Sequence, residues 1–332
     1  MMLHIGIIGT GWFSKVHADL LHETEDVKIQ AILGTSLEKA QTMAAKYEAN
    51  PYEDLHTMLE QEKLDAVYIC VPPMAHGEIE FALIERGIPF FVEKPLAVDL
   101  ELPMQIEAAI REKGLLTAVG YHFRYQEHAE KLKQALAGQT IGMASGCWNG
   151  GMPGVAWWRD LEGSGGQFIE QTTHIVDLLR YVAGEVSEVQ AMYAGRSMHK
   201  LHEGVTVPDV GTVNLKMQNG AVANIMNTCI LPDGVAGRSG LTFYTAEGIW
   251  DWNPEQLSIS TAEGKQTIAG ENNPYKSENE AFLHALRTGD RSLIRSDYQD
   301  ALRTQAVTVA ALQSARYGDR LFISEPTNNE SV

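Results

Sequence analysis

Short apolar runs alternate with stretches of helical period through roughly the first 120 residues, the βαβ rhythm of a parallel sheet. Leu3–Ile8, Lys28–Leu33, Ala66–Val71, Pro89–Val92 and Leu116–Gly120 read as strands. Trp12–His22, Glu38–Tyr47, Asp54–Glu60, His76–Arg86 and Leu102–Lys113 read as helices, with Gly87 and Gly114 just past two of them, where helices commonly end. After Gly120 the rhythm changes. A helix over Glu127–Leu136 and another near Gln171–Tyr181 are accompanied by alternating segments at Ser187–Ala194, Val210–Met217, Ala221–Thr228, Gly240–Thr245 and Leu257–Thr261. Asn219-Gly220 joins two of these as a hairpin turn, so the second sheet reads as antiparallel. Helices over Ser277–Arg287 and Asp297–Arg316 follow, and the polar tail from Pro326 to Val332 is expected to fray. The pattern predicts an α/β protein with an N-terminal Rossmann dinucleotide-binding domain over residues 1–120 and a C-terminal α+β domain over 121–325. The second domain carries a large, mostly antiparallel open sheet.

Composition narrows the function. With 332 residues the chain has room for two cores. A net charge of −17, with no local Lys/Arg cluster, argues against nucleic acid or an anionic membrane as partner. No apolar run approaches the length of a membrane span. Cys70, Cys147 and Cys229 are far apart and lack metal-ligand spacing, so they read as reduced thiols of a cytoplasmic protein, and no metal site is expected.

Three segments carry candidate chemistry. Gly9-Thr10-Gly11-Trp12-Phe13-Ser14 follows the first strand and opens a helix, the setting in which glycines admit a pyrophosphate to a helix N-terminus. Ser14 stands where a third glycine is common, and it is small enough to keep the helix close to the strand. The second strand ends in Gly34-Thr35-Ser36, with Lys39 following, and carries no Asp or Glu for the ribose hydroxyls of NAD. These residues favour NADP over NAD. Val71-Pro72-Pro73 takes the chain out of the sheet beside the cofactor, and His76 starts or caps the next helix. The buried run Phe90-Phe91-Val92 ends in Glu93-Lys94-Pro95, which aims Lys94 at the cleft outside the carboxyl ends of the strands. In the third segment Glu170 and His174 are four apart and share one face of a helix, with Asp177 three residues on. A carboxylate beside a histidine fixes its tautomer and raises its basicity.

Gly9-x-Gly11, Pro72-Pro73-x-x-His76, Glu93-Lys94-Pro95, Gly120-Tyr121-x-x-Arg124 and Gly165-Gly166 through His174 occur in this order and spacing. Together they resemble the glucose–fructose oxidoreductase/inositol dehydrogenase (Gfo/Idh/MocA) family along nearly the whole chain. The resemblance implies an NAD(P)-dependent oxidoreductase that interconverts a secondary alcohol and a ketone on a sugar, cyclitol or related polyol. It also implies a homodimer or homotetramer assembled through the open sheet. Lys94 would steady the alkoxide and His174 would act as general acid or base. Glu170 stands where the family usually has Asp, and either orients His174 or contacts the sugar. Tyr121, Arg124, Trp157, Trp158 and Arg159 are candidate sugar contacts, and Glu93 joins Lys94 at the cofactor. Two other readings share these motifs: a nicotinamide-retaining hydrolase or epimerase using transient oxidation, and a non-catalytic ligand sensor.

Overall fold

The computed structural model describes residues 2–323, so the tail from Pro326 to Val332 lies outside the described residues. In chain order the elements begin β1 (Leu3–Ile8), α1 (Trp12–His22), β2 (Val27–Leu33), α2 (Leu37–Tyr47), β3 (Asn50–Tyr52) and α3 (Leu55–Gln61). Next come β4 (Ala66–Ile69), α4 (Glu78–Arg86), β5 (Phe90–Val92), α5 (Glu101–Lys113), β6 (Thr117–Val119) and α6 (Glu127–Leu136). Then follow β7 (Ile141–Asn149), α7 (Ala156–Arg159), α8 (Leu161–Ser164), α9 (Gln167–Glu170), α10 (Thr173–Ala183), β8 (Val186–Ala194) and α11 (Met198–Leu201). The described chain ends with β9 (Val210–Met217), β10 (Val222–Thr228), β11 (Arg238–Thr245), β12 (Gly248–Trp252), β13 (Gln256–Thr261), β14 (Gly264–Ala269), α12 (Pro274–Thr288), α13 (Tyr298–Tyr317) and β15 (Leu321–Phe322).

Two compact units result. Among the described residues the first comprises 2–97, 101–125 and 273–302. Its six strands are parallel in the order β3-β2-β1-β4-β5-β6, the Rossmann arrangement. β4 and β5 are buried throughout, as strands covered on both faces must be. Local chemistry sets the helix starts: Ser36 accepts Lys39 N–H at the head of α2, and Asp54 accepts Thr57 N–H at the head of α3. Asn273 caps α12, with Pro274 as its first residue. α12 belongs to this unit because its apolar side, Phe282, Leu283 and Ala285, joins the core of Ile5, Ile7, Tyr68 and Phe91. Tyr68 and Phe91 stack there at 4.9 Å.

Among the described residues the second unit comprises 98–100, 126–272 and 303–323. Its nine strands run β14-β13-β12-β11-β7-β10-β9-β8-β15, antiparallel except for β7 beside β10. The β9–β10 turn is Asn219-Gly220, and Gly220 has φ +91°, which the turn requires. β7, which alternation does not reveal, sits in the middle of this sheet. Its Gly146 explains both facts: a Cβ there would stand 2.7 Å from Ile175 Cγ2, so the glycine lets α10 lie close on the sheet. β3, β12 and β14 also go beyond the predicted strands.

Candidate active site

The first unit gathers the candidate cofactor residues past the carboxyl ends of neighbouring strands. Gly9 follows β1 with φ +110°, and a Cβ on it would lie 2.2 Å from the Cys70 carbonyl oxygen. That approach forces glycine at the turn. Gly11 begins α1 without a side-chain cap, and a Cβ on it would meet nothing within 4 Å. The first N–H groups of α1 thus open onto free space beside Thr10 and Gly11, a cradle fitted to a pyrophosphate. Ser14 is fully buried, its hydroxyl 3.5 Å from the Cys70 carbonyl, so it fills the packing role expected of a third glycine. Trp12 is 64% exposed and meets Phe13 edge-on at 4.6 Å.

Beyond the cradle a cavity of about 780 Å³ is lined by Thr10, Gly11, Lys15, Ser36, Lys39 and Lys46 among others. Gly34 is closely hemmed by the Ala40 amide and the Thr10 methyl, each about 3 Å from where a Cβ would stand. Lys39 Nζ donates to Thr35 Oγ1 at 3.1 Å. A carboxylate does reach this end of α2: Glu53 accepts Leu37 N–H at 2.9 Å. Past β4, Val71 and Pro72 are partly exposed and Pro73 starts a short 3₁₀ turn. His76 Nδ1 pairs with Glu80 at 2.5 Å, both side chains sealed, while Glu80 also accepts Gly77 N–H. Burial pushes the Glu80 carboxyl up, but His76 and these bonds outweigh it and hold it below the usual range. His76 is therefore built into the start of α4.

Lys94 follows β5 by two residues and is 7% exposed, with Nζ 5.8 Å from the Phe13 ring centre. His122 feels its charge. Burial first, then Lys94 and His17, depress the imidazole to about 3, so His122 is neutral; it stacks on Tyr275 at 4.4 Å. Glu93 is 4% exposed; His17 Nε2 meets its Oε1 at 2.9 Å, and the missing Cβ of Gly120 makes room for the carboxylate.

Arg124 and Tyr121 are likewise buried. The Arg124 guanidinium pairs with Asp300 at 2.6 Å and donates to the Arg295 carbonyl, so the structure assigns it to holding this unit together.

In the second unit the expected continuous helix from Glu170 to His174 is broken. Glu170 ends α9, His174 lies in the first turn of α10, and Thr172 N–H reaches back five residues to the Gln167 carbonyl. The i, i+4 relation therefore does not put them on one helix face. Glu170 instead accepts the indole N–H of Trp158 at 2.7 Å. Trp158 is 1% exposed and packs with Val207 and Cys229, with half-buried Trp157 alongside. That placement makes Trp158 a support rather than a face for sugar stacking. Arg159 Nε donates to the Pro153 carbonyl. His174 is 3% exposed and stacks on Trp148 at 5.8 Å, 24° from parallel. Trp148 is a residue that sequence reasoning missed, because its strand β7 was missed. Asp177 accepts Thr304 Oγ1–H at 2.8 Å and stands 3.9 Å from Arg180 Nη1, so it serves a buried structural network.

Two family profiles match the chain. Residues 3–121 match the oxidoreductase family with an NAD-binding Rossmann fold, and residues 125–249 match the GFO/IDH/MocA C-terminal domain. The chain belongs to the Gfo/Idh/MocA family. Membership makes it an NAD-binding oxidoreductase acting on CH–OH groups. It is 26% identical to the D-glucoside 3-dehydrogenase of Escherichia coli (strain K12), over 96% of this chain and 97% of that protein. It is 28% identical to the myo-inositol 2-dehydrogenase of Thermotoga maritima, over 68% of each. Among solved structures, a levoglucosan dehydrogenase in complex with NADH superposes with a TM-score of 0.87 at 20% identity, covering 98% of this chain and 100% of that one. The WlbA dehydrogenase from Bordetella pertussis, in complex with NADH and UDP-GlcNAcA, gives 0.83 at 23%, covering 98% and 99%. Likeness at these identities establishes the fold shared with them. Among the described residues no helix is long and apolar enough to cross a membrane.

Proposed function

We propose that the protein interconverts a secondary alcohol and a ketone on a sugar, cyclitol or related polyol. The observation that carries this reading is the position of Lys94. It projects from the same strand edge as the Gly9–Gly11 cradle, with only β4 between β5 and β1, and its ammonium lies beside Phe13 of the cradle's helix. At about 4.8 Å per strand, the two strand ends are roughly 10 Å apart. When bound, the nicotinamide supplies the acceptor or donor of hydride. Thr10, Gly11 and the first turn of α1 would hold its pyrophosphate. Lys94 offsets negative charge growing on the alcohol oxygen. His174 accepts the hydroxyl proton in oxidation and returns it in reduction, with Trp148 fixing the plane of its ring. Replacing Lys94 by Ala is expected to lower kcat by about 10²–10⁴-fold while leaving cofactor Kd nearly unchanged. Turnover is to be read as reduced-cofactor absorbance in a screen of sugars and cyclitols. Wild-type activity in that variant would remove Lys94 from the mechanism.

The cofactor reading is NADP, its 2′-phosphate received by Thr35, Ser36 and Lys39. The assembly reading is a homodimer or homotetramer through the outward face of the nine-stranded sheet. Ile249, Tyr244, Met143 and Val222 form one continuous apolar row across four strands there, each at least 36% exposed. Light scattering should give a dimer or larger, and Val222→Lys should shift it toward monomer. The three unbridged thiols fit a reducing compartment, taken as the cytoplasm.

A further inference from the structure

Behind Lys94 lies a buried acidic pair that the reaction does not use. His17 from α1, Glu93 from the end of β5 and Glu278 from α12 bring ligand atoms within 4.8 Å of one another, at 0%, 4% and 1% exposure. Glu93 has a donor, since His17 Nε2 faces its Oε1 at 2.9 Å, while His17 Nδ1 meets the Asn279 amide at 2.9 Å. Glu278 has none: among the described residues neither of its carboxylate oxygens finds a hydrogen-bond partner. An ionised carboxylate so placed would lose its hydration and face a second carboxylate, with no hydrogen-bond donor of its own in return among the described residues.

We propose that Glu278 is a positioning residue, held as the neutral acid with its proton directed at the Glu93 carboxylate, and that it fixes the strand end from which Lys94 projects. The division of roles follows from the partners. Glu93 keeps the charge because His17 donates to it, and Glu278 carries the proton because nothing donates to it. His17 faces Glu93, and the other titratable groups around the pair bring no counter-charge to Glu278. Tyr68 and Cys70 near β4, Tyr125, and Tyr275 on α12 are all raised, chiefly by burial and further by the acidic pair. Burial and then Glu93 raise Glu278 itself well above the carboxylate range. The arrangement ties three elements at one point. α1 begins at the cofactor cradle, β5 ends one residue before Glu93, and α12 closes the core beneath them.

This inference rests on the catalytic reading of Lys94 for its consequence, but not for its test. Infrared difference spectroscopy at neutral pH should show a protonated carboxylic-acid C=O band, shifted in D₂O and absent from Glu278→Gln. Metal analysis of the same purified protein should find no stoichiometric divalent ion. Glu278→Ala should lower kcat by about tenfold or more through misplacement of Lys94, with cofactor Kd within about twofold, and Glu278→Gln should recover most of that loss. Absence of the band overturns the proposal, as does one tightly held metal per chain or a Gln variant as impaired as the Ala variant. If Lys94→Ala keeps full activity while the band is present, the catalytic reading fails and the neutral acid stands.

Discussion

The indole N–H of Trp158 donates to the Glu170 carboxylate at 2.7 Å, joining α7 to the end of α9. Sequence alone suggested two separate roles, one residue for the sugar and one for the histidine. The bond makes them a single unit, with Trp158 sealed in the core. Replacing Trp158 by Phe removes one hydrogen bond from a half-buried carboxylate, at a cost of about 1–3 kcal/mol. Replacing Glu170 by Gln keeps an oxygen that can accept the same N–H, so its cost should be smaller. Denaturant unfolding of both variants checks the order, and a larger loss in Glu170→Gln would show that the indole bond is not what holds Glu170.

The two glycines of the cofactor loop should fail differently. Gly9→Ala places a Cβ 2.2 Å from the Cys70 carbonyl at φ +110°, so it should destabilise the fold by about 2 kcal/mol or more. Gly11→Ala meets no atom within 4 Å, so stability should stay within about 0.5 kcal/mol of wild type. Its methyl group instead occupies the approach to the α1 N-terminus, and cofactor Kd should rise about tenfold, equivalent to about 1.4 kcal/mol. Melting curves with and without cofactor separate the two. Equal melting losses in both variants would contradict the open space at Gly11.

The first unit was legible because its strands β4, β5 and β6 are buried on both faces and its punctuation is local, whereas the partly exposed β3 gave no such run. Leu3–Ile8 and Trp12–His22 coincide with β1 and α1, and the glycine turn between them carries its own signal. The second unit was less so. Its central strand β7 contains Gly142 and Gly146, and the reason for Gly146, the approach of Ile175, lies 29 residues away in sequence. Missing β7 meant missing Trp148 and the ring on which His174 stacks. Helical spacing also misled at Glu170, because the break at Gln171–Thr172 depends on tertiary packing rather than on a Gly or Pro. The burial of Glu93 was invisible for a related reason, since its partners His17 and Glu278 come from opposite ends of the chain.

The proposed preference for NADP puts Lys39 to the test. Its ammonium already bonds Thr35 Oγ1 at 3.1 Å, where a 2′-phosphate would present a stronger acceptor. Glu53 at the Leu37 amide is the opposing charge. Fluorescence titration should show NADP binding more tightly than NAD, and Lys39→Ala should weaken NADP about tenfold while sparing NAD, in line with loss of one charge-assisted bond. Tighter NAD binding in the wild type would reverse the assignment and point to Glu53 as the group that repels the phosphate.

His122 gives the fold a defined acid sensitivity. The imidazole is depressed to about 3 by burial, then by the Lys94 charge and by His17. The unfolded chain takes up this proton near pH 6.5, the ordinary histidine value, whereas the folded chain resists it until about 3. Between those limits the unfolded state binds more protons, so the contribution is fully present above about pH 6.5 and declines as the pH falls. The slope approaches about 1.4 kcal/mol per pH unit for this single proton. His122→Asn removes the titration. Urea unfolding of the wild type and of His122→Asn at several points from about pH 7 to pH 4 should give stability curves that converge as the pH drops. Parallel curves would mean that His122 takes up its proton equally in both states and is not held neutral beside Lys94.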